Sequence, residues 1–180
     1  MQTKFLSIRD ICYIAIFTAV IAALSPLSIP MPYVSITLSS FVIPFSAVVL
    51  GAKRGTIATI AYLLLGAMGM PIFSNFGGGL GMLFGPTGGF LFAFPLYAFF
   101  AGWGADRNHW IWLTAGLLFG VALLYLGGIL QWCLVTGNSP AIAFTWVVPL
   151  LPTEALKVVL AGVLGRKVRS VLARHTLPES

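Results

Sequence analysis

Glu154 and Lys157 stand three residues apart in the apolar run PLLPTEALKVVLAGVLG (149–165). On a helix this spacing places both side chains on one face, one turn from each other. The chain has ten basic and four acidic residues, and only these two fall inside a long apolar segment. At a rise of 1.5 Å per residue, Lys157 lies about 13 Å of helix from Arg166, too deep for easy snorkelling to a polar boundary. A charge near a bilayer centre costs about 2.5–3.5 kcal/mol on insertion scales, so two of them need a reason. One reason is a self-neutralising pair that pins the helix, although buried pairs stabilise poorly relative to apolar replacements. The other is that the pair faces a polar ligand, from which a carboxylate can accept and to which an ammonium can donate. Charge-assisted bonds of this kind are about twice as strong as neutral ones. Pro149 and Pro152 flank the pair. Pro152 cannot donate to a helical ladder, so a break or restart there is expected. A restart would put Thr153 and Glu154 in a first helical turn, whose positive end favours an ionised carboxylate. Broken helices with polar groups at a cavity recur in transporters.

A second segment must lie near that pair. In GGGLGMLFGPTGGF (77–90), seven of fourteen residues are glycine and none is charged. Between apolar segments its amides and carbonyls cannot face lipid unpaired; they pack against protein or line a cavity. Glycine lets backbone approach a ligand closely because no Cβ intervenes. A simple tight turn is the competing explanation, but a turn needs only one or two glycines.

The chain has 180 residues, 59% hydrophobic and 8% charged, against about a quarter charged in a soluble domain. Several apolar runs approach the roughly 20 residues that a bilayer crossing needs. We therefore read residues 1–180 as one membrane-embedded, all-α domain: a compact bundle of six transmembrane helices, at roughly 7–25, 38–51, 56–69, 90–104, 111–134 and onward from the TGNSPA turn to near Arg166. The net charge of +6 does not indicate nucleic acid. Lys4 and Arg9 precede the first apolar run, Lys53 and Arg54 follow the second, Arg107 the fourth, and Arg166, Lys167, Arg169 and Arg174 the last. Segments 26–37, 70–89 and 135–142 carry no charge. Basic residues thus mark every second loop, which places both termini in the cytoplasm. The basic tail could touch anionic membrane lipids or dock a partner. KFLSIRD before an apolar run has the form of a signal peptide, but removing it would leave five crossings, so it is read as the start of the first helix.

The first outer loop contains Pro26, Pro30 and Pro32 and is expected to be stiff. The second and third helices are short, with the turn GAKRG between them. Trp103, Trp110 and Trp112 are read as one interfacial aromatic belt and Trp132 and Trp146 as the other. His109 is read as a solvated interfacial residue, and Cys12 and Cys133 as unpaired small buried hydrophobes. Ala15, Ala19 and Ala23 recur at four-residue spacing on the first helix, suited either to internal packing or to docking another membrane helix. The chain lacks GxxxxGK[ST], HExxH, CxxC and GxSxG motifs and any acidic metal cluster. Uphill movement of a solute would need ATP energy from a partner.

Four stretches together resemble a family: IPMPYVSITLSSF (29–41), GAKRGTIATIAYLLLGAMGMPIF (51–73), GGGLGMLFGPTGGF (77–90) and PTEALK (152–157). They are similar, in the same order and over nearly the whole chain, to BioY, the biotin-specific substrate-capture (S) component of energy-coupling factor (ECF) transporters. The GPTGG motif with its glycine-rich lead-in is the specific part. The resemblance implies a six-helix protein of the prokaryotic plasma membrane that is not an enzyme, has no cofactor and carries biotin as its transported ligand. It implies a transmembrane coupling subunit and two ATPase subunits as partners, with Ala15, Ala19 and Ala23 against the coupling subunit. The two outer loops would close over the vitamin, and Glu154 and Lys157 would contact it. Many members carry aspartate where this chain has Glu154, and tyrosine where it has Phe90; glutamate is one methylene longer, so the ligand pose or the helix position must adjust, and Phe90 keeps a ring but loses a hydrogen bond. Phe90, Tyr97 and Tyr125 are candidates for apolar walls around the thiophane ring and tail. Asn75 and the amides of glycines such as Gly78 and Gly79 are candidates for the valerate carboxylate. Which end of biotin meets Glu154 and Lys157 is left open; the ureido ring, with two N–H donors and one carbonyl, is the working assignment. An S component for another vitamin and an ion-coupled carrier without ATPases are the alternative readings.

Overall fold

Apolar residues dominate every long segment, so helices must satisfy their own backbones, and the computed structural model is almost wholly helical. It describes residues 7–29 and 35–176; the expectations for Lys4, Pro30 and Pro32 lie outside them. Helix α1 (Ile8–Leu24) opens where the Asp10 carboxylate accepts the Ser7 N–H at 3.1 Å. It buries Ile14, Thr18 and Ile21, and Thr18 Oγ1 donates to Ala58 O of the third helix at 3.2 Å. A two-stranded antiparallel ladder follows, β1 (Ser28–Ile29) with β2 (Ile36–Thr37), in the register Ser28 to Thr37. Helix α2 (Ser39–Leu50) is short and buried along nearly its whole length.

The turn after α2 is tighter than expected. Gly51 alone reverses the chain, at φ +86°, and α3 (Ala52–Ala67) begins at once. Asp106 makes this possible: its Oδ2 accepts the Ala52 N–H at 2.9 Å, supplying the start of α3 with a partner from a distant turn. Lys53 and Arg54 therefore sit in the first turn of α3 rather than in a loop.

Residues 70–89 are likewise not a single irregular loop. They hold a 3-10 turn (Ser74–Phe76) and the one-turn helix α4 (Leu80–Phe84). Gly88 and Gly89 already belong to α5 (Gly88–Asp106), and a Cβ at either would collide with the Leu83 or Gly127 carbonyl, so only glycine fits there. Helix α6 (Trp110–Thr136) starts at His109, whose Nδ1 accepts the Ile111 N–H at 3.4 Å. Helix α7 (Pro140–Val147), a 3-10 turn (Val148–Leu150) and α8 (Leu151–Thr176) form one apolar rod. It extends ten residues past Arg166, where the last helix was expected to end.

Among the described residues, Gly88–Asp106, Trp110–Thr136 and Pro140–Arg174 are long and apolar enough to cross a membrane, and α2 is a shorter apolar helix. Helix α5 packs along α6 and crosses α2 and α3, while α8 lies against α2. Tyr62, Phe73, Tyr97, Ile43 and Leu117 form the centre, each almost fully buried. Two expectations are corrected. Trp132 and Trp146 are not an interfacial belt: they are buried against each other, ring centroids 5.6 Å apart. Cys12 is unpaired but exposed, since α1 turns its other face inward.

Candidate functional site

The chain tightens to a 3-10 turn at Val148–Leu150 before Pro152 without leaving helical dihedrals at Val148 and Leu151, and Glu154 lies in the first turn of α8. The start of α2 meets it there. Glu154 Oε1 accepts from Ser40 Oγ at 2.7 Å and from Lys157 Nζ at 2.8 Å. Lys157 Nζ also donates to Thr37 O at 2.9 Å and to Ser40 Oγ at 3.0 Å. An ammonium has three N–H bonds, and these three contacts use them all. Glu154 is 6% exposed, and its Oε2 has no hydrogen-bond partner among the described residues. A buried charged acceptor left unmatched costs about 1–3 kcal/mol or more.

Glu154 borders a cavity with about 200 Å³ open to the centres of water molecules. The polar side of its wall is hydroxyl-rich, with Ser35, Thr37, Ser39, Ser40, Thr87 and Thr153 beside Asn75 and Glu154. The apolar side comprises Phe90, Leu91, Phe94, Leu124, Tyr125 and Leu150 among others. Phe90 and Tyr125 meet edge-on at 6.0 Å, and the Phe90 ring also leans on Trp146 at 6.5 Å. Such a wall accepts a small ligand with an apolar body and polar ends.

Of the residues singled out from sequence, Glu154, Asn75, Phe90 and Tyr125 border this cavity. Lys157 stands behind Glu154 and fixes it. Tyr97 lies one layer deeper, with no exposed surface and its ring against Gly120. Gly78 and Gly79 do not border the cavity. Gly78 backs onto the Met70 carbonyl, and the Gly79 N–H donates to Gly66 O at 2.7 Å, so these glycines fasten the 70–89 segment to the end of α3.

Asn75 has a further task. It sits at φ 55°, a left-handed conformation that asparagine tolerates better than most residues. Its Nδ2 donates to Ser35 Oγ and its Oδ1 accepts from Ser28 Oγ, both at 2.8 Å. It thereby clasps the ladder segment to residues 70–89 beside the cavity. Gln131 of α6 performs a similar service from the other side, its Nε2 donating to Leu83 O at 2.7 Å and to Gly85 O at 2.9 Å. Sequence reasoning missed Gln131 and Ser40. The signals were a lone carboxamide in an apolar helix and the hydroxyl run SITLSS at a helix start.

Comparison with known proteins bears on this site. A model described as the BioY family matches residues 1–174. A protein of Thermotoga maritima named biotin transporter BioY is 36% identical, covering 91% of this chain and 97% of its own length. A protein of the same name from Rhizobium etli is also 36% identical, over 91% and 94%. The fold matches a crystal structure of the S-component for biotin from an ECF-type ABC transporter, with a TM-score of 0.84 at 26% identity over 94% of this chain and 95% of that one.

Proposed function

The chain belongs to the BioY family, matched across residues 1–174, and we propose that the cavity beside the Asn75 clasp captures biotin for uptake across a membrane. The protein is a transport component rather than an enzyme, in keeping with the transporter names of its relatives. The observation that carries the reading is the unmatched Glu154 Oε2 in the wall of a half-apolar cavity. A ureido N–H supplies the donor that this oxygen lacks, and Phe90, Tyr125 and Leu124 receive the thiophane ring and methylenes. Lys157, its donors already committed, holds the carboxylate in place rather than reaching for the ligand first. The valerate end then faces the hydroxyls of Ser35 and Thr87 and the Asn75 region. Tyr97 supports the wall from behind.

Residues 1–180 act as one membrane-embedded domain in the plasma membrane of a prokaryotic cell. Six crossings, counting α1, α2, α3, α5, α6 and the α7–α8 rod, leave both termini in the cytoplasm. The segregation of basic residues to alternate turns supports this orientation. A transmembrane coupling subunit and two ATPase subunits supply the energy, the coupling subunit meeting the exposed Ala15, Ala19 and Ala23 of α1.

The test is an equilibrium titration of the purified protein with labelled biotin, followed by competition with unlabelled biotin, thiamin and riboflavin. Tight binding displaced by biotin alone is expected. Displacement by another vitamin at equal concentration, or no biotin binding, ends this reading.

A further inference from the structure

At the end of α2 away from Ser39 and Ser40 lies a second pocket, about 280 Å³ by the same measure, between α1, the α2–α3 turn and α8. Its polar lining is three arginines, Arg9, Arg54 and Arg169, and the rest is Tyr13, Val49, Leu50, Leu172 and Ala173. Two aspartates hold two of the arginines. Arg54 pairs with Asp10 Oδ1 at 2.6 Å and Arg169 with Asp106 Oδ1 at 2.7 Å. Each aspartate spends its second oxygen on backbone, Asp10 on the Ser7 N–H and Asp106 on the Ala52 N–H. Neither carboxylate is left over for Arg9, which has no ion-pair partner among the described residues. Three guanidiniums against two committed carboxylates leave one positive charge.

We infer that this pocket binds the headgroup of an anionic phospholipid. Guanidinium N–H groups match phosphate oxygens; Asp10 orients Arg54, while Arg169 is held by Asp106 through Nη2 and by Val48 O through Nη1 at 3.2 Å, which leaves Arg9 as the fork free to pair with the phosphate. Arg9 supplies the uncompensated charge that a phosphate diester neutralises. The apolar half of the lining suits the glycerol backbone and the first methylenes better than a free, fully hydrated phosphate. The pocket is formed by ends of helices that flank apolar segments, where a headgroup lies. It is about 16 Å of helix from the cavity, at the other end of α2, so the two sites can be read separately.

The experiment uses the full chain purified in a neutral detergent. Its thermal midpoint is followed while dihexanoyl phosphatidylglycerol, dihexanoyl phosphatidylcholine or inorganic phosphate is added. Phosphatidylglycerol is expected to stabilise at concentrations at least tenfold below those at which either other probe acts. Arg9→Gln, which breaks no pair within the fold, is expected to weaken that response at least tenfold, and Arg9→Lys to restore part of it. Biotin binding of Arg9→Gln, measured in parallel, reports that the variant is folded and should match the wild type. Equal responses to phosphatidylglycerol and phosphatidylcholine overturn the inference, as does a phosphatidylglycerol response untouched by Arg9→Gln. Inorganic phosphate acting at the same concentration as phosphatidylglycerol overturns the assignment to lipid.

Discussion

Glu154 commits one carboxylate oxygen to Ser40 and Lys157, and its other oxygen has no partner among the described residues beside the cavity. The pair it makes with Lys157 has two roles that mutation can separate. Lys157→Met removes the ammonium and leaves an uncompensated buried carboxylate, a loss of about 3–5 kcal/mol where a buried pair is broken. Glu154→Gln in the same chain removes that stranded charge, so the double variant should regain much of the thermal midpoint lost by Lys157→Met alone. Biotin affinity should not return with it. A ligand hydrogen bond to a charged group contributes about 1.5–3 kcal/mol, so Glu154→Gln by itself should weaken binding on the order of ten- to a hundredfold. Thermal unfolding and a biotin titration on the three variants check this. If stability and affinity recover together in the double variant, the pair only pins the helix and the ligand sits elsewhere.

At the scale of elements, the cavity is roofed by segments that no long helix fixes, so single side chains do the fixing. Gln131 reaches from α6 to the Leu83 and Gly85 carbonyls; Gly85 O also accepts the Gly88 N–H at 3.1 Å, so the loss of Gln131 bears most on the Leu83 carbonyl. Gln131→Leu keeps the apolar packing of α6 and should loosen α4 and the residues after it. The expected result is faster biotin dissociation, by roughly tenfold for about 1.4 kcal/mol, with a much smaller change in association rate, read from chase experiments with unlabelled biotin. The contrast with what the sequence disclosed is physical. Glu154 and Lys157 were legible because charge in an apolar run is costly wherever the run folds, and the tightening before Pro152 was legible because proline lacks a donor. The turn at Gly51 was not, because the group that caps α3 is Asp106, 54 residues from Ala52. The fastening role of Gly78 and Gly79 was hidden for the same reason: glycine content announces close backbone approach but not which backbone approaches. Trp132 and Trp146 misled because a tryptophan near a helix end suits a membrane interface and an interior stack equally well.

For the molecule as a whole, the proposed function asks that biotin binding be coupled to partner subunits, and on that reading α1 divides the duties by face. Ile14, Thr18 and Ile21 point into the bundle, with Thr18 bonded to Ala58 O of α3. Ala15, Ala19 and Ala23 remain exposed on the other side. In lipid an exposed alanine row gains nothing from the hydrophobic effect, whereas close backbone approach to another helix gains dispersion contacts along its length. A bulky residue in the row therefore has room in the isolated protein but not in a helix–helix seam. Ala19→Trp should leave the biotin dissociation constant and the thermal midpoint of the purified protein unchanged within about twofold and a degree or two, because the side chain adds no clash inside the fold. Copurification with a coupling subunit and ATPases, and biotin uptake by vesicles that contain all the subunits, should both fall at least tenfold. If uptake persists with Ala19→Trp while binding is intact, the partners grip another face, and α1 serves only to close the bundle.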